Sequence, residues 1–160
     1  MKISIDPIKA EDREWVLEVI RGWGADFIVS RGRRIFAAEL EGFIARDDDG
    51  ERVGLVTYEV LDNECEIVTL DAFTKFTGIG TKLVGAVIDR FKGMDVKCLW
   101  LITTNDNLDA IRFYQKRGFT IAAVHVNAIE NSRRLKPSIP VIGCYGIPIR
   151  DEIEFEMILG

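Results

Sequence analysis

The feature that most constrains this chain is a strand followed by a helix that begins with two glycines, in the segment Cys65–Phe91. Residues 66–70 form a short, mostly apolar run that predicts a buried strand, and a polar turn follows it. Gly78 and Gly80 then begin a segment whose apolar residues recur at four-residue steps, which predicts a helix with one buried face. The residues of that face are Ile79, Leu83, Val87 and Phe91, with Val84 and Ile88 beside them.

The start of this helix predicts a binding site for a phosphate group. The first N–H groups of a helix have no partner within the helix, and the helix dipole adds about half a positive charge there. Glycines at positions 78 and 80 remove side chains that would block an anion from these donors. Two known phosphate motifs do not fit, because Gly80-Thr81-Lys82 lacks the Walker spacing and Leu83 stands where a dinucleotide fingerprint needs a small residue.

Two motifs in this chain resemble those of the GNAT superfamily of N-acetyltransferases. The segment Lys75–Gly80 is similar to that family's pyrophosphate loop, Arg/Gln-x-x-Gly-x-Gly/Ala. Its lysine is a departure, because it keeps the positive charge but lacks the planar guanidinium. The segment Asn107–Phe119 is similar to the family's run Asn-x-x-Ala-x-x-Phe/Leu-Tyr-x-Lys-x-Gly-Phe, and it follows the apolar run Cys98–Thr103.

The resemblance implies a fold of the α/β class: a mixed α+β sheet of about seven strands, splayed between the fourth and fifth strands and flanked by about four helices. We expect residues 1–160 to form a single GNAT-like acetyltransferase domain. Asp12 is expected to cap the first helix. The hydrophobic pattern predicts strands at Lys2–Ile5, Gly42–Arg46, Arg52–Leu61, Glu66–Leu70, Cys98–Thr103, Phe119–Asn127 and Glu152–Leu159.

Composition argues against several classes of protein. A net charge of −5 argues against a general nucleic-acid binder, because phosphate contacts dominate that affinity. We expect no membrane span and no signal peptide, and therefore a cytoplasmic protein. Cys65, Cys98 and Cys144 are widely spaced, which indicates reduced thiols rather than a disulfide framework or a zinc site. The single histidine, His125, gives metal chemistry no support, and we expect no metal cofactor.

The resemblance implies acetyl-CoA as the co-substrate. Its pantetheine arm would pair along the strand 66–70, and an N–H near Leu70 would polarise the thioester carbonyl. Tyr114 matches the family's tyrosine that protonates the departing thiolate, and Asn107, two helical turns earlier, would face the same side. The cofactor-binding residues implied in this way are Leu70, Asp71, Ala72, Lys75, Phe76, Thr77, Gly78, Ile79, Gly80, Thr81 and Asn107.

The sequence leaves the general base open. Glu66 is the first choice, because burial within an apolar strand would raise its pKa. Strand periodicity predicts that Glu66 shares a face with Val68 and Leu70, where a cross-strand salt bridge is the competing explanation. Asp71 and His125 are further candidates. A row of acidic residues on the last strand also qualifies, namely Glu152, Glu154 and Glu156, which alternate with Ile153, Phe155, Met157 and Leu159.

These features predict an N-acetyltransferase that moves an acetyl group from acetyl-CoA to an amine of a small molecule or protein, by direct attack in a ternary complex. The alternative is a catalytically inactive acyl-CoA-binding module that senses or scaffolds, and Tyr114 beside Asn107 favours the enzyme. Residues 23–34 and 131–150 are the candidate acceptor-binding segments. The first is hard to assign to regular structure, and its arginines also fit a solvated turn, whereas we expect the second to be partly irregular. Pairing as a homodimer through the last strands is common in this family, and the sequence leaves the oligomeric state open.

Overall fold

The structure of the protein is a computed structural model that describes residues 2–74 and 77–160. The α-helices are α1 (Arg13–Arg21), α2 (Ile79–Phe91), α3 (Leu108–Lys116) and α4 (Ala128–Leu135). The strands are β1 (Ser4–Pro7), β2 (Ile28–Ser30), β3 (Arg33–Ile35), β4 (Glu41–Arg46), β5 (Arg52–Leu61), β6 (Glu64–Ala72), β7 (Cys98–Thr104), β8 (Thr120–His125) and β9 (Glu152–Ile158).

Seven of these strands form one mixed sheet in the order β1-β4-β5-β6-β7-β9-β8. Its neighbouring strands run antiparallel except β6 and β7, which run parallel. Helix α2 provides the long connection that parallel pairing needs. The predicted seven-stranded mixed sheet with four helices is therefore confirmed for the described residues. No helix among them is long and apolar enough to cross a membrane.

Apolar clusters cover both faces of the sheet. Helices α2 and α3 pack on one face, where the predicted apolar side of α2 is buried against Val56, Leu99 and Phe155. Helix α1 packs on the other face through Val16 and Ile20. The predicted alternation of β9 is confirmed, because its apolar residues pack on the α2 side. The acidic residues of β9 therefore face the side away from α2 and α3.

The segment 23–34 is more regular than predicted. Strands β2 and β3 form an antiparallel hairpin in which Ser30 pairs with Arg33. Arg31 and Gly32 form the two-residue turn, with φ of 51° and 74°. Two positive φ angles are the requirement of a type I′ hairpin turn, which usually has Asn or Asp before the Gly. Arg31 occupies the position before the glycine here, so the sequence did not predict this hairpin turn.

The segment 131–150 begins with a helix that the sequence analysis missed. Helix α4 continues to Leu135, and Pro137 follows one residue after its C-cap. The remainder is irregular, as predicted, apart from one isolated bridge between Ile142 and Pro148. Ser138 Oγ donates a hydrogen bond to the Gly24 carbonyl over 3.1 Å. This bond joins the two segments predicted to bind the acceptor.

Strands β6 and β7 are paired only at their beginnings. Three residue pairs join them, the last being Glu66 with Trp100. From there β6 continues to Ala72 beside β5, and β7 continues to Thr104 beside β9. No described strand fills the space between the two diverging ends, which we call the open seam. The splay predicted between the fourth and fifth strands of the sheet is thus confirmed.

A bulge in β6 changes which side chains face each side of the sheet. Thr57 of β5 pairs with Thr69, but the next residue, Tyr58, pairs with Ile67, so Val68 is an extra residue in β6. Leu70 packs on the α2 side, whereas Val68 packs on the α1 side. The prediction that Glu66, Val68 and Leu70 share one face is therefore wrong for Leu70, because one inserted residue reverses the alternation.

Asp12 stabilises the join between α1 and the edge of the sheet. It precedes α1, as predicted, but its side chain makes no capping hydrogen bond to that helix. Its carboxylate instead accepts hydrogen bonds from the Lys9 amide at 2.9 Å and from the guanidinium groups of Arg46 at 2.8 Å and Arg52 at 3.0 Å. Burial tends to raise the pKa of Asp12, but these donors outweigh it and lower the pKa below its ordinary value.

We predict that Asp12→Asn destabilises the protein at neutral pH, because Arg46 and Arg52 lose their shared anion. Loss of one partner from a buried pair costs about 3–5 kcal/mol, and partial exposure of both arginines reduces this to roughly 1–3 kcal/mol. Urea denaturation measures the free energy of unfolding. Asp89→Asn is the control, because Asp89 is exposed on α2 and has no ion pair among the described residues.

The pH dependence gives a second readout for the same pair of variants. A lowered pKa in the folded state means that the Asp12 contribution is fully present above about pH 4–5 and is lost as the pH falls through the folded value. The difference in unfolding free energy between the wild type and Asp12→Asn should therefore shrink on acidification. A difference that stays constant from pH 7 to pH 3 would contradict this assignment.

Candidate functional site

A cleft of about 680 Å³ lies beside the open seam. It lies between the end of β6, the start of α2 and one face of α3. Most of the predicted cofactor-binding residues line it together. The lining residues are Leu70, Asp71, Ala72, Thr74, Thr77, Gly78, Ile79, Gly80, Thr81, Asn107, Asp109, Ala110, Arg112, Phe113, Tyr114, Lys116 and Arg117. The predicted residues Lys75 and Phe76 lie outside the described part of the chain.

The two glycines at the start of α2 have different structural roles. Gly78 is the N-cap, and its φ of 82° lies in the left-handed region, which residues with a side chain adopt only with strain. A Cβ built at this position would meet no atom within 4 Å. The space in front of the first helical N–H groups is therefore open. A Cβ at Gly80 would lie 3.3 Å from the Phe113 ring, so that glycine lets α3 approach α2. Both features leave the helix start accessible from the cleft.

Helix α3 adds positive charge to the cleft. Arg112, Lys116 and Arg117 all line it, and Arg117 donates a 2.6 Å hydrogen bond to the hydroxyl of Thr81 at the start of α2. The same guanidinium lies over the Phe113 ring, 5.5 Å from its centroid. The sequence analysis did not select these three residues, although their spacing on one helix was a usable signal. Together with the helix start they form a site suited to several phosphate charges.

Asn107 and Tyr114 lie on the same side of α3, as their spacing predicted. Asn107 caps the helix, because its Oδ1 accepts a hydrogen bond from the Ala110 amide at 3.2 Å. Tyr114 is only 7% exposed and packs edge-on against Phe119. Burial raises the pKa of Tyr114, so its phenol stays protonated at neutral pH. Among the described residues, no hydrogen-bond partner for this hydroxyl is found, and the side chain lines the cleft.

Glu66 lies on the opposite side of the sheet from Tyr114, at the last residue pair before the open seam. It is 3% exposed and is enclosed by the β2–β3 hairpin. Its carboxylate accepts a 2.7 Å hydrogen bond from Ser30 Oγ and lies 3.4 Å from a guanidinium nitrogen of Arg33. Burial raises the pKa of Glu66 despite the opposing effects of Ser30 and Arg33. The anticipated salt bridge therefore exists, but its cation comes from the hairpin.

The other candidate bases are divided between the two sides of the sheet. Asp71 lines the cleft with Tyr114. Glu152 and Glu154 lie on the hairpin side, where Glu154 is 3.0 Å from His125 and 3.6 Å from Arg31. Glu152 is buried, and that burial raises its pKa. Glu156 lies on the same face of β9 and pairs with Trp100, so it is further than Glu154 from the unpaired end of β7.

A second cavity, of about 190 Å³, lies on the hairpin side of the sheet. It is enclosed by β2, by the end of β7 and by both candidate acceptor-binding segments. Its lining residues are Ile28, Val29, Ile102, Thr103, Thr104, Ile129, Ser132, Lys136, Ile139, Ile149 and Glu152. The cleft and this cavity therefore lie on opposite sides of the sheet, next to the same unpaired end of β7.

The part of the chain that the structure describes contains no group of three or more His, Cys, Asp or Glu side chains arranged to hold a metal ion. Cys65 and Cys98 are buried free thiols, and Cys144 is an exposed one. The described side chains that line the cleft include basic groups, carboxylates and the buried phenol of Tyr114.

Known proteins resemble this chain in sequence and, separately, in fold. The Acetyltransferase (GNAT) family matches residues 10–119. The uncharacterised protein YdhI of Bacillus subtilis is 46% identical over 139 residues, which is 86% of each chain. Relatives of known structure have the same fold at lower identity.

Two of these structures cover nearly the whole chain. The IAA acetyltransferase from Bacillus cereus has a TM-score of 0.76 at 21% identity and covers 99% of this chain and 100% of its own. A GNAT family acetyltransferase from Elizabethkingia anophelis, with acetyl-CoA bound, has a TM-score of 0.72 at 24% identity and covers 98% of both chains. From the family match and the identity to YdhI, we conclude that this chain belongs to the GNAT family of acetyltransferases.

Proposed function

We propose that the protein transfers an acetyl group from acetyl-CoA to an amine by direct attack in a ternary complex. The observation that carries this proposal is the cleft, in which an open helix start, three basic side chains of α3 and a buried phenol lie beside an unpaired strand end. This combination suits a long ligand with phosphates at one end and a reactive thioester at the other. Family membership supports the same reaction class.

Acetyl-CoA would bind along the cleft in two parts. Its diphosphate would accept hydrogen bonds from the N–H groups that follow Gly78, within reach of Arg112, Lys116 and Arg117. The resemblance adds Lys75 and Phe76 to this loop. The pantetheine amides would pair with the exposed edge of β6 at residues 70–72, as an added strand does. This arrangement leads the thioester towards Tyr114.

Acyl transfer then needs three groups from the protein. The amine nitrogen attacks the thioester carbonyl, and a backbone N–H near Leu70 stabilises the negative charge that forms on its oxygen. The carbon–sulfur bond breaks, and Tyr114 donates its proton to the departing thiolate. The raised pKa of Tyr114 keeps that proton in place before the bond breaks. The attacking nitrogen carries a surplus proton once the new carbon–nitrogen bond has formed. That proton returns to the Tyr114 phenolate, directly or through solvent, so the phenol is restored, and Glu66 releases the proton of the original ammonium to solvent.

Glu66 is our proposed base for the incoming amine. An amine of pKa ~10 is mostly protonated at neutral pH, so its proton must be removed before attack. Glu66 lies at the last residue pair before the open seam, and a raised pKa makes it a better proton acceptor. Glu152, which is also buried with a raised pKa, is the principal rival.

We predict that Tyr114→Phe lowers kcat by about 10²–10⁴-fold, the usual contribution of a positioned proton donor, and leaves the affinity for acetyl-CoA nearly unchanged. A thiol-release assay over an amine panel measures kcat, and isothermal titration measures affinity. Tyr58→Phe is the control, because it removes another buried hydroxyl remote from the cleft. An unaltered kcat in Tyr114→Phe would remove this residue from the proton-donor role.

Normal acetyl-CoA binding by the wild type, without turnover of any amine, would instead indicate an inactive acyl-CoA-binding module.

We predict that Gly78→Glu and Gly80→Glu each abolish acetyl-CoA binding. At position 78 a carboxylate would occupy the phosphate position and repel the ligand, whereas at position 80 the new side chain would meet Phe113 and displace α3 from the start of α2. Isothermal titration with acetyl-CoA is the measurement, and circular dichroism checks that the helix remains. Gly85→Glu is the matched control, since it adds the same side chain to the middle of α2, where a Cβ meets no atom within 4 Å. Wild-type affinity in both loop variants would refute the phosphate site.

The pH profile of kcat/KM distinguishes the two candidate bases. A base must be deprotonated to act, so activity should fall as the pH drops through the raised pKa of Glu66. We predict that Glu66→Gln lowers kcat/KM by about 10²-fold or more and removes the fall in kcat/KM at low pH, whereas Glu152→Gln retains that fall. If only Glu152→Gln removed the fall at low pH, Glu152 would be the base instead.

A further inference from the structure

The second cavity is lined by a lysine side chain that has no counterion among the described residues. Lys136 lines this cavity and is only 9% exposed. Within the described ranges, its ammonium makes no ion pair or side-chain hydrogen bond. Burial lowers the pKa of Lys136, because no anion offsets the loss of hydration. The stem of Lys136 is buried, and its ammonium has lost part of its hydration without gaining a protein partner, so an anionic ligand in the cavity would pair with it.

The carboxylates near this cavity do not supply that partner. Glu154 is paired with His125 and Arg31, and Glu66 is held by Ser30 and Arg33. Glu152 lines the same cavity, yet no ion pair joins it to Lys136. The cavity therefore presents one cation and one separate carboxylate to whatever occupies it.

The rest of the lining sets the size and polarity of the occupant. Five isoleucines contribute to the wall, and the polar groups between them are Thr103, Thr104 and Ser132. A volume of about 190 Å³ corresponds to roughly six water molecules at ~30 Å³ each, which is below the usual range for drug-sized ligands. This space suits a small molecule with a short aliphatic part.

The position of the cavity links it to the open seam. Ile102 and Thr104 line it from the portion of β7 that β6 no longer pairs with. Leu70 and Ala72, across the same gap, line the larger cleft on the other side of the sheet. A ligand in the cavity therefore lies across the open seam from the thioester path.

We propose that this cavity holds the acceptor, and that the acceptor is a small aliphatic amine that carries a carboxylate group. Lys136 binds the carboxylate, and the isoleucine wall holds the aliphatic part. The amine is directed towards the seam, on the carboxylate-lined side of the sheet. This inference rests on the proposed acetyl transfer and adds the chemical class of its acceptor.

The test compares matched acceptors in the thiol-release assay with acetyl-CoA. Each of glycine, L-alanine, L-valine, L-leucine and 4-aminobutyrate is assayed beside its own amide, which keeps the amine and removes the negative charge. We expect at least one acid to exceed its amide by about 10- to 100-fold in kcat/KM, the range of a charge-assisted contact. Amides that match or exceed their acids throughout the panel would overturn the inference.

Lys136→Met tests the assigned contact, because it keeps the aliphatic stem and removes the ammonium. We expect it to abolish the advantage of the acid over its amide, mainly by raising KM for the acid, while acetyl-CoA still binds. Lys136→Arg should restore part of the preference, and the exposed Lys92→Met is the control. An acid preference that survives in Lys136→Met would refute the role of Lys136.

A binding measurement separates this inference from the transferase proposal. The N-acetyl derivatives of L-valine and L-leucine are titrated calorimetrically into the wild type and into Lys136→Met. Binding that requires Lys136 supports an anion site even if no amine releases thiol, in which case only the transferase proposal fails. Thiol release from amines without any binding of these carboxylates would leave the transferase proposal standing and overturn the acceptor assignment.

Discussion

The three residue pairs that join β6 to β7 are the constraint on which the rest of the site depends. Backbone N–H and C=O groups need partners when they are removed from water, so a ladder that stops early leaves a row of groups for another molecule to satisfy. The remainder of β6 stays paired with β5, across the bulge at Val68, and the remainder of β7 stays paired with β9. Each side of the opening is therefore a strand that is paired along its other edge, and the unpaired backbone groups lie in the middle of the sheet.

Charge is distributed unevenly around this opening. The chain carries a net charge of −5, yet the cleft side collects Arg112, Lys116 and Arg117 on a single helix. The hairpin side carries buried carboxylates whose cations are supplied by the β2–β3 turn and its flanks. Two ligands of different charge can therefore be selected by the two sides of the sheet.

The sequence predicted the regular parts of this architecture well. The apolar face of α2, the alternation of β9 and the order of the two motifs all follow from local patterns, and local patterns are what periodicity reports. The bulge at Val68 could not be predicted in this way, because one inserted residue leaves the apolar run intact while it reverses the side to which Leu70 points. The type I′ turn at Arg31 was hidden by an unusual residue choice.

The candidate site was predicted in part for the same reason. The glycines, Asn107 and Tyr114 belong to contiguous motifs, and the structure brings them together in one cleft. Lys136 gave no signal, because the cavity that it lines is completed by residues of β2 and β7, which are distant in the chain. The predicted roles of Lys75 and Phe76 stay predictions.

The open seam also has a consequence for the order of events in turnover. In the proposed reaction, the cleft on one side of the sheet and the cavity on the other would give each substrate its own site, and neither ligand would have to pass the other. The acetylated product could then leave while coenzyme A stays bound, and the coenzyme could exchange while the acceptor stays. The proposed arrangement therefore imposes no fixed order of arrival or departure on the two substrates.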